Sequence, residues 1–403
     1  MSESLPVPVG LSTRLVAVMA VCCALAVSTI YYQQPLLPQM AASFGLAPTQ
    51  AGLIATLTQL GYAAGLLLVV PLADCRQPRQ LALLSIAANA VALIACAAAP
   101  NFTLLCASSF VVGVTAITAQ IIIPALSGLA TPAERGRVVG TLLSGLSAGL
   151  LLSRTIGGWL GAHSDWRAVF ILASLMDLVL LVIVARRFPT LTSRSPISYG
   201  TLLRSLGLLV RKERVLRCSA MIGFLIFAAY SALWATLAAL LVQPPYRFDS
   251  ATIGMFGLIA LLGIVASPRI GGVADRLGAS TMVLASTIAV AVSFAFVAAG
   301  GQSLGWLMVG MILLDFGNRA ALVANQTRLF NLRPEARSRL NTVFMAAYFL
   351  GGAGGAALGN YGVHRAGWAG LATVGALLAL GATAINALSP REAITTVARL
   401  KRP

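Results

Sequence analysis

The sequence alternates between long apolar segments and short stretches that carry most of its charge. Each apolar segment has about 18 to 24 residues, the length at which a helix crosses roughly 30 Å of hydrocarbon with its backbone hydrogen bonds satisfied internally. With 58% hydrophobic and 10% charged residues, a chain of 403 residues has more apolar surface than a soluble fold of this size buries. The sequence therefore predicts an all-α membrane protein with twelve transmembrane helices. The predicted spans are residues 15–34, 51–71, 80–99, 103–126, 138–160, 168–185, 218–241, 251–268, 281–299, 304–327, 341–359 and 368–388.

The second half of the chain repeats the first. Adding 202 to each position between Pro132 and Trp166 gives the stretch from Pro334 to Trp368 without a gap. A period near half the chain length indicates duplication rather than a solenoid. The matched residues are Pro132, Arg135, Arg137, Gly149, Gly157 and Trp166, which correspond to Pro334, Arg337, Arg339, Gly351, Gly359 and Trp368. We therefore predict a six-helix bundle over residues 1–185, a linker over 186–217, a second six-helix bundle over 218–390 and a tail over 391–403.

The basic residues indicate the orientation of the chain. All but five of the 28 Lys and Arg residues fall on one side of the predicted spans, which is the cytoplasmic side by the positive-inside rule. Both termini and the linker are then cytoplasmic. The linker carries an amphipathic pattern with Leu202, Leu203, Leu206, Leu209 and Val210 on one helical face, and we expect this helix to lie on the membrane surface.

Two short motifs, one in each half, carry a resemblance to a known family. After the second predicted span, Pro71, Leu72, Ala73, Asp74 and Arg79 fit a degenerate form of a loop motif, and residues 271–278 form a closer copy 201 positions further on. Together with twelve spans and a basic linker, these motifs resemble the major facilitator superfamily. The resemblance implies two pseudo-symmetric six-helix bundles around a central cavity, a monomer, and transport by alternating access. It also implies a gating role for Asp74, Arg79, Asp275 and Arg276, with Asp74 docking on the eleventh helix and Asp275 on the fifth. The alternative for the aspartates is a simple turn cap.

The fifth predicted span is similar to a motif of antiporters in that superfamily. Gly140, Gly149, Gly157 and Gly158 keep the motif's spacing, while Ser153 and Arg154 replace its Gly-Pro pair. The resemblance implies proton-driven drug efflux, and the alternative is that the glycines serve only close helix packing. The runs 31–38 and 119–124 also resemble a bacterial subgroup named for arabinose efflux, a label that leaves the substrate open.

Charged residues inside a span cost at least about 2 to 3 kcal/mol each, so they need a partner or a function. Asp315 lies near the middle of the tenth span, and Arg319 follows one turn later on the same face, where an ion pair forms readily. The first, fourth, seventh and tenth helices line the cavity in the superfamily. The resemblance therefore places both residues beside the transport path, and our hypothesis is that Asp315 carries the coupling proton while Arg319 holds its carboxylate. A static pair that only supports the helix is the alternative.

Arg154 and Asp177 form a second candidate pair. Their predicted depths in the fifth and sixth spans differ by only about 5 Å, so adjacent antiparallel helices would let them meet as a structural pair. Arg154 could instead face the cavity and attract an anionic group. Uncharged polar and aromatic residues complete the predicted substrate cavity, and each has interhelical packing as its alternative role. They are Tyr31, Tyr32, Gln33, Gln34, Gln120, Trp234, Asn325 and Gln326.

Other function classes find little support in the sequence. The two histidines, His163 and His364, lie in predicted short outer loops, and no nucleotide-binding, hydrolase or metal-ligand pattern occurs. The dispersed basic residues do not predict nucleic-acid binding. We therefore expect no enzyme activity, metal or cofactor. The predicted function is a transporter of the bacterial cytoplasmic membrane that exports a drug-like solute or small metabolite, with the proton gradient as its energy source. A uniporter or proton symporter for a sugar or amino acid, and a non-transporting solute sensor, are the alternatives.

Overall fold

The computed structural model describes residues 11–131, 134–190, 198–259, 278–332 and 336–389, and the secondary structure over these ranges is helical, without a strand. The fold is that of an all-α membrane protein. Its helices are α1 (Thr13–Ser28), α2 (Leu37–Ser43), α3 (Gly52–Leu68), α4 (Leu72–Cys75), α5 (Pro78–Ala97), α6 (Phe102–Thr115), α7 (Thr118–Leu129), α8 (Arg135–His163), α9 (Trp166–Arg187), α10 (Tyr199–Lys212), α11 (Arg214–Leu241), α12 (Ser250–Met255), α13 (Ala279–Ala298), α14 (Leu304–Leu332) and α15 (Arg337–Ala387), with 3₁₀ turns at Gln34–Leu36, Phe256–Ile259 and Ala299–Gly301.

Several helices begin where a polar loop residue caps the first turn. An oxygen of the capping side chain accepts a hydrogen bond from a backbone amide that has no partner inside the helix. For the four of these helices that lie in predicted spans, the helix starts within a few residues of the span limit. The caps are Ser12 before α1, Asn101 before α6, Asp165 before α9, Ser198 before α10 and Asp249 before α12.

Nine helical stretches of the described ranges are long and apolar enough to cross a membrane. One of them, α15, has 51 residues and turns back at Ala366 and Gly367, where Gly367 adopts a φ of 53° that favours glycine. It therefore consists of two arms, 337–365 and 368–387. Two shorter apolar helices, Thr13–Ser28 and Ser250–Ile259, lie at the predicted first and eighth spans. The count of twelve stays a prediction because residues 260–277 lie outside the described ranges.

Glycines bring helices into backbone contact in both halves. A Cβ atom on Gly149 of α8 would lie 2.1 Å from the Ala24 carbonyl oxygen of α1. In the other half, a Cβ atom on Gly351 of α15 would lie 2.0 Å from the Phe224 carbonyl oxygen of α11. Gly149 and Gly351 are equivalent in the sequence repeat, so the repeat extends to helix packing. The contact is one that only glycine permits.

The first and fourth predicted spans are interrupted helices. Residues 29–33 form turns between α1 and the 3₁₀ turn that contains Pro35, and α6 and α7 are separated at Ala116 and Ile117. Proline lacks an amide hydrogen and removes a helical hydrogen bond, so the break near Pro35 has a local cause. The break in the first span turns Tyr31 and Tyr32 toward different neighbours.

The linker helix α10 packs on the bundle. Leu202, Leu206 and Leu209 are buried, and the hydroxyl of Tyr199 donates a hydrogen bond of 2.6 Å to the Leu68 carbonyl oxygen. Leu203 and Val210 are only partly buried. The expectation that this apolar face lies on the membrane surface is therefore wrong for the three buried leucines. An amphipathic pattern alone does not distinguish a protein surface from a lipid surface.

The two halves meet along the whole depth of the bundle. We call the side that carries α10 the linker side and the opposite side the far side. On the far side, α8 packs against α12. The helix α3 packs lengthwise against the first arm of α15, from Gly52 beside Asn360 to Tyr62 beside Phe349. These two contacts join the predicted bundles and enclose the candidate site between them.

Candidate functional site

The predicted ion pair in the tenth span is present. Asp315 Oδ2 accepts a hydrogen bond from Arg319 Nε at 2.8 Å, and both residues lie on α14. The side chain of Asp315 is 5% exposed and that of Arg319 is 18% exposed. Asp315 lies about 16 Å along α14 at 1.5 Å per residue, which is half of the hydrocarbon thickness. A carboxylate and its counter-charge are therefore held at the centre of the bundle.

Aromatic side chains from the second half surround this pair. Tyr230 and Tyr348 lie within electrostatic reach of Arg319, and the Tyr348 hydroxyl donates to Asn318 Oδ1 at 3.0 Å. The ring of Phe227 stacks on the ring of Tyr348 at 4.0 Å and on that of Tyr230 at 5.7 Å. The sequence analysis missed these rings. Their signal was the spacing of Phe227, Tyr230 and Trp234, which places all three on one face of α11.

The column of rings continues across the boundary between the halves. Phe349 of α15 lies 4.4 Å from Tyr62 of α3 and 5.2 Å from Phe227, measured between ring centroids. All of these rings are buried. In this conformation the protein's own side chains fill the central space between the halves.

Arg154 lies in this central region but does not pair with Asp177. Its Nε donates a hydrogen bond of 2.6 Å to Gln34 Oε1, and its guanidinium lies 3.8 Å from the Trp234 ring centroid and 5.1 Å from that of Tyr31. The residue is 1% exposed. The predicted Arg154–Asp177 pair is therefore wrong. The two residues have similar depths, but Arg154 points to the first and seventh spans.

The surroundings of Arg154 do not fully compensate its charge. A desolvated cation–π contact contributes about 2 kcal/mol, whereas removing an ion from water costs several kcal/mol even after the protein relaxes. Nη1 and Nη2 of Arg154 are buried and make no hydrogen bond within the described part of the chain. The Tyr230 hydroxyl is close to the guanidinium, but its geometry does not satisfy either nitrogen. Arg154 is thus a buried cation whose Nη1 and Nη2 hydrogen-bond donors are not satisfied by the described residues in this conformation.

Asp177 lies on the other side of the first span. It is 2% exposed, its Oδ2 has no hydrogen-bond partner in the described ranges, and it interacts electrostatically with Tyr32. The break at residues 29–33 therefore directs Tyr31 toward Arg154 and Tyr32 toward Asp177. Tyr32 does not belong to the central cluster in which we predicted it.

The other predicted cavity residues divide between the site and helix packing. Gln34, Tyr31 and Trp234 contact Arg154, as described above. Gln33 donates to the Thr58 hydroxyl at 2.8 Å, and Gln120 lies 3.3 Å from the Tyr62 hydroxyl. Asn325 and Gln326 lie nearer the linker side, where Asn325 bonds the Ala321 carbonyl oxygen of its own helix and Gln326 bonds Asn341. The latter four residues connect helices or support one.

Two small cavities adjoin these residues. The first, about 10 Å³, lies against Arg154, Gln34 and Trp234, and this volume holds no more than one water molecule. The second, about 70 Å³, lies on the linker side among Asp74, Gln120, the leucines of α10 and the start of α15. Asp74 shares this cavity with Ser338, Arg339 and Thr342, which belong to the first turns of α15. Asp74 and its predicted docking helix therefore line the same cavity, and the docking contact itself stays a prediction.

The remaining gating predictions have separate outcomes. Arg79 donates to the Thr190 hydroxyl at 2.9 Å and to the Ala185 carbonyl oxygen, so its bonds go to the start of the linker and the end of the first half. Asp275 and Arg276 lie outside the described residues. Their predicted contact with the fifth span stays a prediction.

The far side is closed by backbone contacts between the halves. A Cβ atom on Gly158 of α8 would lie 2.3 Å from the Ser250 carbonyl oxygen of α12, and the Thr155 hydroxyl donates to the Gly254 carbonyl oxygen at 3.1 Å. Gln39 Nε2 bonds the Ser250 hydroxyl at 3.0 Å across the same boundary. We call these contacts the far-side seam.

Replacing Gly158 with alanine is expected to favour a conformation in which the seam is open. The added methyl group clashes with backbone atoms, and overpacking of this kind costs about 1 to 3 kcal/mol, which corresponds to roughly tenfold in the ratio of two conformations. The measurement is the rate at which an impermeant maleimide labels Leu237→Cys, beside Arg154, after the six native cysteines have been replaced. We expect about tenfold faster labelling in Gly158→Ala. Gly140→Ala is the control because nothing lies within 4 Å of its added methyl group; equal rates in the two variants would contradict the role of the seam.

Comparison with known proteins agrees with this architecture. The family model described as Major Facilitator Superfamily matches residues 17–318 and 219–398. The chain is 35% identical to the uncharacterized transporter YgaY of Escherichia coli O157:H7 over 370 residues, which cover 92% of this chain and 94% of that protein. It is also 35% identical over 384 residues to the probable transporter SCO4007 of Streptomyces coelicolor, covering 94% and 88% of the two chains.

A solved structure has the same fold. The human organic anion transporter MFSD10 superposes with a TM-score of 0.71 at 18% identity, covering 93% of this chain and 99% of that one. At this identity the likeness concerns the fold alone. With the family match and the bacterial relatives, it leads to one conclusion: the chain is a multi-pass membrane protein that belongs to the Major Facilitator Superfamily.

Proposed function

We propose that the protein moves a small solute across the bacterial cytoplasmic membrane by alternating access and exports it in exchange for protons. The observation that supports this most is the Asp315–Arg319 pair at 2.8 Å in the centre of the bundle. An ionisable pair at this depth is costly in hydrocarbon and is a marker of proton or ion pathways in membrane proteins. The glycine motif of α8 supports the export direction.

The pair offers two states that a transport cycle can use. When the Asp315 carboxylate is ionised, it accepts the hydrogen bond from Arg319, and when it is protonated, that charge attraction is lost and Arg319 becomes available to other groups. Tyr230 lies within electrostatic reach of both residues. Alternating access would present the carboxylate first to water on one side and then to water on the other, so that each cycle carries a proton.

The helix contacts define which parts would move. The backbone contacts of α1 with α8, and of α11 with α15, hold each pair together, whereas the far-side seam and the linker-side cavity lie between the halves. We propose that rocking opens the seam while Asp74 docks on the first turn of α15 and closes the linker side. Carboxylates are stabilised at helix N-termini by the helix dipole.

Proton symport is the second candidate, and Arg154 favours it. The central site holds one more positive than negative charge, since it contains Arg154, Arg319 and Asp315. Arg154 is the cation without a partner, because neither ion pair found in the described ranges includes it. An anionic solute bound at Arg154 and a proton bound at Asp315 would neutralise each other's charge in the site. Solute and proton would then cross in the same direction.

Proteoliposomes that contain a pH-sensitive dye test the proposal and separate the two candidates. Adding a transported solute outside, under a pH gradient, should move protons out of the vesicles in antiport and into them in symport. Asp315→Asn vesicles serve as the control for proton leak. Counterflow of a solute without any proton movement would contradict proton coupling and leave a uniporter.

A further inference from the structure

Arg154 is a charged group that the proposed proton pathway does not use. Its guanidinium is buried between α8, α11 and the turns that follow α1, with the Tyr230 hydroxyl nearby. It donates one hydrogen bond to Gln34 and lies against the faces of Trp234 and Tyr31. Its two terminal nitrogens, with four N–H donors, make no hydrogen bond within the described ranges. A side chain that only braced the helices would be expected to direct these donors to backbone carbonyls.

The charges around Arg154 leave one cation without an anion. Asp315 interacts electrostatically with Arg154 but is hydrogen-bonded to Arg319 at 2.8 Å, and Asp177 lies across the first span beside Tyr32. No carboxylate of the described residues lies within 4 Å of the Arg154 guanidinium. A guanidinium binds a carboxylate through two parallel N–H···O hydrogen bonds. Its planar, forked geometry matches the carboxylate better than the point charge of a lysine ammonium does.

A cavity lies directly against Arg154. It has room for about one water molecule in this conformation, and it lies between the halves, next to the seam that closes the far side. Separation of α8 from α12 would therefore enlarge it. Apart from Arg154 and the amide of Gln34, its walls are apolar or aromatic: Pro35, Trp234, Leu237, Ala238 and Ile253.

We propose that Arg154 binds the carboxylate of an organic monoanion whose apolar or aromatic body lies against Trp234 and Leu237. This assigns a substrate class to the central site, and it rests on the proposed transport function only in that the bound anion is the solute moved. Gln34 holds Nε of Arg154 and orients the two terminal nitrogens. Trp234 covers one face of the guanidinium and leaves its edge for the carboxylate.

The test is binding to the purified full-length protein in detergent at pH 7.5, followed as a rise in melting temperature. The probes are carboxylates and their neutral amides of nearly the same shape: benzoate and benzamide, phenylacetate and phenylacetamide, and indole-3-acetate and indole-3-acetamide. We expect at least one carboxylate to stabilise the protein at concentrations about tenfold below those of its amide. We expect Arg154→Gln to lose this preference and Arg154→Lys, which keeps the charge but not the fork, to weaken it.

One control variant keeps the outcomes separate. Asp177→Asn removes a buried carboxyl group outside the site and should bind the carboxylate as the wild type does. Carboxylates that bind no better than their amides to the wild type, or bind equally to Arg154→Gln, would overturn the inference. If Arg154→Gln does not fold, the wild-type comparison and Arg154→Lys decide.

These results are independent of the test for proton coupling. Proton movement driven by a neutral solute, with no carboxylate preference, would retain the transporter and remove the anion site. Carboxylate binding that depends on Arg154, without proton movement, would retain the anion site and remove the coupling.

Discussion

Asp315→Asn is expected to abolish solute accumulation driven by a pH gradient while solute exchange at equal pH continues. Asparagine has nearly the shape of aspartate but takes up no proton near neutral pH, so the carrier of the coupling proton is lost. Exchange needs only the conformational change with solute bound. The measurement is uptake into proteoliposomes with and without a pH gradient, and we expect the gradient to increase accumulation at least about tenfold in the wild type and not at all in the variant.

The stability of the variant must be measured beside its transport. Removing one partner of a buried ion pair costs about 3 to 5 kcal/mol, and less is expected here because the side chain of Arg319 is 18% exposed. The double variant Asp315→Asn with Arg319→Gln removes both charges and should recover stability without recovering coupling. Asp177→Asn is the matched control for a buried carboxylate. Gradient-driven accumulation that persists in Asp315→Asn would place the proton site elsewhere.

Alanine at Gly149 or Gly351 is expected to destabilise the protein and to stop transport. The methyl group would meet a carbonyl oxygen at 2.1 Å or 2.0 Å, and backbone atoms of a neighbouring helix move only if the helices separate. Overpacking costs about 1 to 3 kcal/mol, which exceeds the roughly 1 kcal/mol that alanine gains over glycine in helix propensity. The measurements are melting temperature in detergent and exchange in proteoliposomes.

The chain offers a matched control for these substitutions. Gly140 lies on the same helix as Gly149, and no atom lies within 4 Å of a Cβ built on it. Gly140→Ala should therefore be neutral or slightly stabilising. If Gly149→Ala and Gly140→Ala have the same effect, the close packing of α1 and α8 does not limit stability. If Gly351→Ala alone is harmful, the two halves are not equivalent in packing.

The sequence predicted best what depends on distance along the chain. Asp315 and Arg319 are four residues apart on one helix, and this spacing alone brings them together. The repeat related Gly149 to Gly351, and each packs in the same way against the first long helix of its own half, α1 or α11. The family fold follows from features of this kind, because span length and repeat period are read directly from the chain.

Contacts that depend on the rotation of a helix could not be predicted in this way. Arg154 and Asp177 were placed at similar depths, but depth does not specify which face of a helix points where, and the two side chains point to different neighbours. The aromatic residues of α11 other than Trp234, and those of α15, were missed because spacing indicates a shared helix face but not whether that face lines a cavity or meets lipid. Leu202 and Leu206 were assigned to the membrane surface for the same reason.

The ring column from Tyr62 through Phe349 and Phe227 to Tyr348 has a consequence for the range of solutes that the protein accepts. Because these rings occupy the central space in this conformation, a solute that enters it must displace them, and the free energy of that rearrangement is subtracted from its affinity. We expect modest affinity for any single compound. An aromatic side chain can adapt to ligands of different shape by rotating about its two side-chain bonds. We therefore also expect the protein to accept solutes of varied shape rather than one specific compound.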